Sequence, residues 1–351
     1  MRRHLLAWLV LSSAVALCWP SLVELAGRAG MGIPSEPGAS QFDPLLVPSA
    51  ETGQPVPRVS VGLVVAIIMF SIGTLLPGEE VNQVLRRWPQ VAAGTLVQYT
   101  SMPLLAVTLA TLFRLPPELY IGVVLVGCVP GAMASNVLTL AAGGNASYSV
   151  SLTTLATLIS PVVVPLAMQA ALNTQASIDA LGISEQLLRE VVGPVVAGHL
   201  VGRWGGRIAS MLQRCAEPVA NVAILWVIAT VVALNRDRLQ QTPMTVLTVL
   251  LLLNGGGYLA GYGAGKVLRL PEGMRRALTL EIGMQNAGVG TALALRWFAD
   301  RPAAAIPTAV YTFGCMLTGT MLAQWFAGRT VHAEASDVHQ REVHQTTDGE
   351  E

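Results

Sequence analysis

Long apolar runs dominate this chain, and short polar stretches separate them. A run of about 20 residues can cross a hydrocarbon core about 30 Å thick as an α-helix. The pattern predicts ten such spans, over 5–27, 58–78, 88–113, 117–142, 146–171, 184–204, 215–235, 242–268, 274–298 and 303–326. Strands of a membrane barrel would be shorter and would alternate, so the expectation is an all-α membrane protein. The first run has a second reading, because Met1 to His4 followed by apolar residues to Leu17 also has the form of a signal peptide. The apolar character resumes past Cys18 and Pro20, which favours a retained span; cleavage would leave nine.

Two runs carry polar breaks. In the fourth, Gly127-Cys128-Val129-Pro130-Gly131-Ala132-Met133-Ala134-Ser135-Asn136 should unwind near Pro130 to Ser135, since proline lacks a backbone donor and glycine loosens the turn. In the ninth, Glu281 is followed by Ile282-Gly283-Met284-Gln285-Asn286-Ala287-Gly288-Val289-Gly290, which predicts a break over 283–290. A lone carboxylate at that depth costs about 2.5–3.5 kcal/mol on insertion scales, so it is expected to face a cavity, a partner or an ion. The breaks fall in the fourth members of two five-span halves, 1–171 and 184–326. An odd number of spans per half inserts the halves in opposite orientations, and paired interruptions point to the binding site of a secondary transporter. Glycines in membrane helices also serve close packing, but matched breaks that both carry an amide, one beside an acid, favour a site.

Composition agrees: of 351 residues, 52% are hydrophobic and 12% charged, and a net charge of zero gives no field for nucleic acid. Charge placement suggests a cell-membrane protein with both termini in the cytoplasm. Arg2, Arg3, Arg86, Arg87, Arg203, Arg207, Arg214, Lys266, Arg269, Arg275, Arg276 and Arg329 then fall inside, and Arg28, Arg58, Arg114, Arg189, Arg236, Arg238, Arg296 and Arg301 outside. Residues 28–57, rich in Gly, Pro and Ser, read as an external loop, and 172–183 as a linker between the halves. The tail, 327–351, carries Glu334, Asp337, Glu342, Asp348, Glu350 and Glu351 and is expected to be disordered. Cys18, Cys128, Cys215 and Cys315 lack metal-ligand spacing and read as small buried residues.

Hard cations are held by carboxylate, carbonyl, amide and hydroxyl oxygens. Ser149 and Thr153, four apart, share a helix face and can join Ser135, Asn136 and Glu281 around one ion. Gln98, a solitary amide in the third span, can hold a second with Glu281, Gln285 and the carbonyls of Ile282 and Met284. Taken singly, Ser149 and Thr153 also suit back-bonding to their own helix, and Gln98 an interhelical hydrogen bond.

The motif from Gly127 to Pro165, and Ala277-Leu278-Thr279-Leu280-Glu281-Ile282-Gly283-Met284-Gln285-Asn286-Ala287-Gly288, resemble the bile acid:sodium symporter family. Gln98 and Asn254-Gly255-Gly256-Gly257-Tyr258 are similar as well, so the resemblance covers nearly all of 58–326. It implies ten helices in two inverted repeats, with the fourth and ninth broken and crossing. A core domain (spans three to five and eight to ten) would move against a panel domain (one, two, six and seven). Two sodium sites are implied on the residues above: Ser135, Asn136, Ser149, Thr153 and Glu281, and Gln98, Glu281, Ile282, Met284 and Gln285. A substrate region is implied around Met133, Asn286, Ala287 and Cys315, where Met133 and Cys315 replace polar residues usual in the family. The expected activity is sodium-coupled symport of an organic anion, bile-acid-like or a small monocarboxylate such as pantoate or a keto acid. Sodium is the coupling ion, no cofactor or nucleic acid is expected, and a monomer in the bilayer suffices. A metalloid exporter of the arsenite type is the alternative, with Cys128 and Glu281 superficially in place. An intramembrane hydrolase would need an acid pair, a Ser–His arrangement or a metal triad, and His199 has no acidic neighbour in sequence.

Overall fold

The computed structural model describes residues 45–48, 55–57, 59–76, 88–172, 178–204, 206–234 and 244–347. The first predicted span and Cys18 lie outside the described residues. Strands β1 (Leu46–Pro48) and β2 (Pro55–Pro57) form a small antiparallel pair, with Val47 opposite Val56, where only a loop was expected. Helices follow in the order α1 (Val61–Leu75), α2 (Trp88–Leu112), α3 (Pro117–Cys128), α4 (Ala134–Ala141), α5 (Ala146–Leu172) and α6 (Ala180–Leu187). After a π turn at Leu188–Val192 come α7 (Gly193–Trp204), α8 (Gly206–Leu234), α9 (Met244–Val267), α10 (Glu272–Gly283), α11 (Ala287–Trp297) and α12 (Ala305–Thr347).

Among the described residues, four helices are long and apolar enough to cross a membrane by length and composition: Trp88–Leu112, Ala146–Leu172, Met244–Val267 and Pro302–Gly328. The predicted spans 117–142 and 274–298 are each divided in two, as α3/α4 and α10/α11. Leu104, Leu112 and Leu259 are exposed on the outside, a surface suited to lipid rather than water. The most enclosed apolar side chains, among them Ile121, Leu125, Leu152, Leu253 and Leu278, lie on α3, α5, α9 and α10, each of which packs on α2. Apart from the β1–β2 pair, the described residues form an all-helical membrane protein.

Helices α1, α7 and α8 pack on one another. The α1–α7 contact is close enough that a Cβ at Gly73 would strike the Val195 carbonyl and one at Gly198 the Phe70 carbonyl, so only glycine allows it. Helix α9 lies along α10 and α2. Inside α5, Pro161 leaves the Thr157 carbonyl without its helical donor, and the Ser160 hydroxyl supplies one at 2.7 Å.

Each end of the α10–α11 pair has an arginine anchor. Near the start of α10, buried Arg276 bonds Glu272 (3.0 Å) and the carbonyls of Ala142 (2.8 Å) and Phe326 (3.3 Å), tying the end of α4 to the middle of α12. Near the end of α11, Arg296 meets Glu190 of the π turn at 3.1 Å, and Gln186 donates to the same carboxylate at 2.9 Å. Glu190 is a buried acid that the apolar pattern of 184–204 did not single out.

One expectation changes in detail. Cys215 is exposed, while Cys128 and Cys315 are buried; the position of Cys215 on α8 falls outside the packed helix faces. Helix α12 runs on to Thr347.

Candidate functional site

Pro130 ends α3 by its chemistry: Val129, the residue before it, is extended (φ −74°, ψ 158°), and the chain turns helical again only at Ala134. Helix α10 ends at Gly283, with Met284 extended (φ −116°, ψ 102°). Asn286 starts α11 as its N-cap, its side-chain oxygen accepting from the Val289 N–H at 3.3 Å. Both breaks are shorter than expected, since Ser135 already belongs to α4 and Gly288 and Gly290 to α11.

The two breaks satisfy each other. Gly131 and Gln285 form an antiparallel bridge. The Ala132 N–H donates to the Met284 carbonyl at 2.8 Å, and the Asn286 N–H to the Pro130 carbonyl at 2.8 Å. Unwound backbone survives in hydrocarbon only when its polar groups find partners within the protein, and this miniature ladder provides them.

Against that crossing sits Glu281, fully enclosed (0% exposed), in the last turn of α10. Its Oε2 accepts from the Ser135 hydroxyl at 2.5 Å and lies 3.5 Å from the Ser149 hydroxyl; its Oε1 accepts from Thr153 at 2.6 Å. Asn136 Oδ1 accepts from Ser149 at 2.8 Å and from Thr153 at 3.2 Å. Three elements thus bring together all five residues of the first predicted cluster: α4, α5 and α10. Thr139 joins them at 3.2 Å from the Ser149 hydroxyl. Sequence reasoning missed it, although it lies four residues after Ser135 on the same face of α4.

The hydroxyl protons have alternative acceptors. Ser135 Oγ lies 2.7 Å from the Ala132 carbonyl, and Thr153 Oγ1 lies 3.1 Å from the Ser149 carbonyl. A hydroxyl has one proton and two lone pairs, so each can point its proton at Glu281 or at its own helix. In the second setting the hydroxyl lone pairs are turned to the carboxylate. The donors there are all hard oxygens, suited to a cation of the sodium type.

The second predicted cluster is more loosely joined. Gln98 Nε2 lies 3.4 Å from Gln285 Oε1, and Gln285 Nε2 donates to the Ile282 carbonyl at 2.7 Å. Gln98 Oε1 is buried with no hydrogen-bond partner among the described residues, an acceptor that calls for a donor or a cation. The Met284 carbonyl is engaged by Ala132, and both oxygens of Glu281 turn to the first cluster.

Of the residues expected around a substrate, Met133, Asn286 and Ala287 lie at the crossing. Asn286 is half-buried, and Met133 offers its thioether to the Asn136 amide at 3.7 Å. Cys315 is buried on α12 with its thiol directed at the Thr312 carbonyl, and no hydrogen bond links it to Asn286 among the described residues.

Residues 62–242 match the family described as the sodium bile acid symporter family. The chain is 35% identical over 269 residues to an uncharacterized sodium-dependent transporter, YocS, of Bacillus subtilis, covering 77% of this chain and 83% of that protein. It is 30% identical over 257 residues to a probable chloroplastic sodium/metabolite cotransporter, BASS1, of Arabidopsis thaliana, covering 73% of this chain and 64% of that protein. A probable chloroplastic sodium/metabolite cotransporter of Oryza sativa, BASS2, is 28% identical over 290 residues, covering 83% of this chain and 68% of that one. With the family match spanning half its length and the bacterial relative most of it, the chain belongs to the sodium bile acid symporter family.

Proposed function

We propose that the protein is a sodium-coupled symporter of an organic anion, working by alternating access in the cell membrane. The observation that carries this reading is the enclosed Glu281 carboxylate, ringed by hydroxyl and amide oxygens where two broken helices pair. In this reading Ser135, Asn136, Ser149, Thr153 and Glu281 hold one sodium ion. Gln98, Gln285 and the carbonyls of Ile282 and Met284 hold a second, with Glu281 shared. The names of the relatives, which are sodium-dependent transporters and sodium/metabolite cotransporters, support sodium as the coupling ion.

The wider architecture follows the same reading. Ten spans form two inverted halves, with α1, α7 and α8 in a panel and α2 to α5 with α9 to α12 in a core. Both termini are cytoplasmic, and one chain suffices for transport. Arg276 and the Ala142 and Phe326 carbonyls then mark the inner end, Glu190 and Arg296 the outer.

The substrate is a monocarboxylate with an apolar body, taken up at the crossing. The basic side chain nearest the crossing along α10, Arg276, is committed to Glu272 and two carbonyls, so an anion there meets backbone N–H groups, the Asn286 amide and apolar surroundings. A phosphate or dicarboxylate would call for arginine. The arsenite-type alternative gives the hydroxyl and amide cluster no role. Uptake of cholate and of pantoate into proteoliposomes, with and without an inward sodium gradient, tests the reading. Sodium-driven accumulation of either supports it, and uptake of both that ignores sodium contradicts it.

A further inference from the structure

Helix α10 ends inside the protein, so its last carbonyls need partners from elsewhere. The Gly283 carbonyl has two: Asn254 Nδ2 of α9 at 2.7 Å and the Tyr311 hydroxyl of α12 at 2.7 Å. Asn254 is itself oriented, because Thr318 of α12 donates to its Oδ1 at 2.7 Å and leaves the amide nitrogen facing Gly283. Tyr258 lies 3.1 Å from the Thr318 hydroxyl and closes the network. Asn254 and Tyr311 are almost completely buried. The next carbonyl back, that of Ile282, goes instead to Gln285, the residue that meets Gln98.

The peptide planes on either side of Gly283 are thereby held toward different partners. With Gly283 clamped by α9 and α12, the Ile282 carbonyl is kept on the side of Gln285, whose own amide oxygen meets Gln98 Nε2 at 3.4 Å. Rotation of the Gly283 peptide would carry the Ile282 carbonyl and the Gln285 amide out of register together, because the two are bonded. We infer that Asn254, Tyr311 and Thr318 are positioning residues for the second cation cluster, acting through the Gly283 carbonyl. This rests on the sodium reading proposed above.

The test is a sodium titration of the purified protein at constant ionic strength, with choline as the replacing ion and heat stability as the readout. Tyr311→Phe and Thr318→Val should each raise the half-saturating sodium concentration about three- to tenfold, the loss of one buried hydrogen bond. They should also flatten the titration toward the slope of a single ion. Thr318→Ser, which keeps the hydroxyl, should titrate as the unaltered protein does. If Tyr311→Phe does not fold, Thr318→Val and Thr318→Ser decide. Glu281→Gln runs alongside: a full sodium response in that variant overturns the ion-site reading itself. Loss of the response in Glu281→Gln, with Tyr311→Phe and Thr318→Val titrating like the unaltered protein, overturns the positioning role alone.

Discussion

The backbone of Gly131 lies directly against the carboxylate of Glu281, so closely that a Cβ on Gly131 would run into Oε1. One break therefore forms a wall of the site whose acid comes from the helix leading into the other. Gly131→Ala should displace Glu281 or part the bridge between Gly131 and Gln285, costing about 1–3 kcal/mol as overpacking does. Sodium-dependent heat stabilisation should fall in this variant while helix content by circular dichroism is kept. An unchanged sodium response would mean that the crossing yields without disturbing the carboxylate.

Ser135→Ala and Thr153→Val each remove a hydroxyl bonded to Glu281. In the proposed first site each hydroxyl oxygen is a sodium ligand, so its removal should raise the sodium concentration for half-maximal stabilisation about tenfold, the equivalent of about 1.4 kcal/mol. Thr139→Ala, one step farther out, should have a smaller effect in the same direction. Equal sodium titrations for all three would reduce these hydroxyls to helix packing.

Asn286 caps α11 through its oxygen, which leaves its amide nitrogen for an anion. Asn286→Asp keeps the capping oxygen and replaces that donor with negative charge. It should therefore retain heat stability and its sodium response while losing stabilisation by cholate. Asn286→Ala loses both cap and donor and should weaken cholate binding more than sodium binding. Cholate binding by Asn286→Asp equal to that of the unaltered protein would remove Asn286 from the substrate region.

Arg296 joins α11 to the buried Glu190 of the π turn. Its own side chain is 50% exposed, which puts the pair between the surface and buried limits. Arg296→Ala should lower stability by about 1–2 kcal/mol, because the buried Glu190 then keeps only the Gln186 amide at 2.9 Å and the more distant, 56% exposed Arg189 at 3.8 Å. Pairing it with Glu190→Gln should recover part of the loss, since the buried charge is then gone. Additive losses in the double variant would show that the two side chains act independently.

Local chemistry made much of this legible from sequence. Pro130 and Gly283 mark where the helices stop, and the four-residue step from Ser149 to Thr153 puts both hydroxyls on one face. The lone acid Glu281 announced its own need for partners. Pairing at long range was not legible: nothing near Gly131 says that its bridge partner is Gln285, and this pairing is what keeps the breaks so short. Tyr311 and Thr318 looked like ordinary members of an apolar helix, because their partners, Gly283 and Asn254, come from other elements. Glu190 was hidden for a related reason, since it sits at the π turn, where the helical register from which a face is read shifts.

In the proposed function one carboxylate, Glu281, carries sodium coupling. The direct measurement compares Glu281→Gln with the unaltered protein, reading heat stability as sodium replaces choline and sodium-driven uptake of cholate and pantoate into proteoliposomes. Glutamine keeps the shape and removes the charge, so the variant should fold, remain in the membrane, gain no stability from sodium and show no sodium-driven uptake. Sodium stabilisation and sodium-driven uptake that persist in Glu281→Gln would contradict the account.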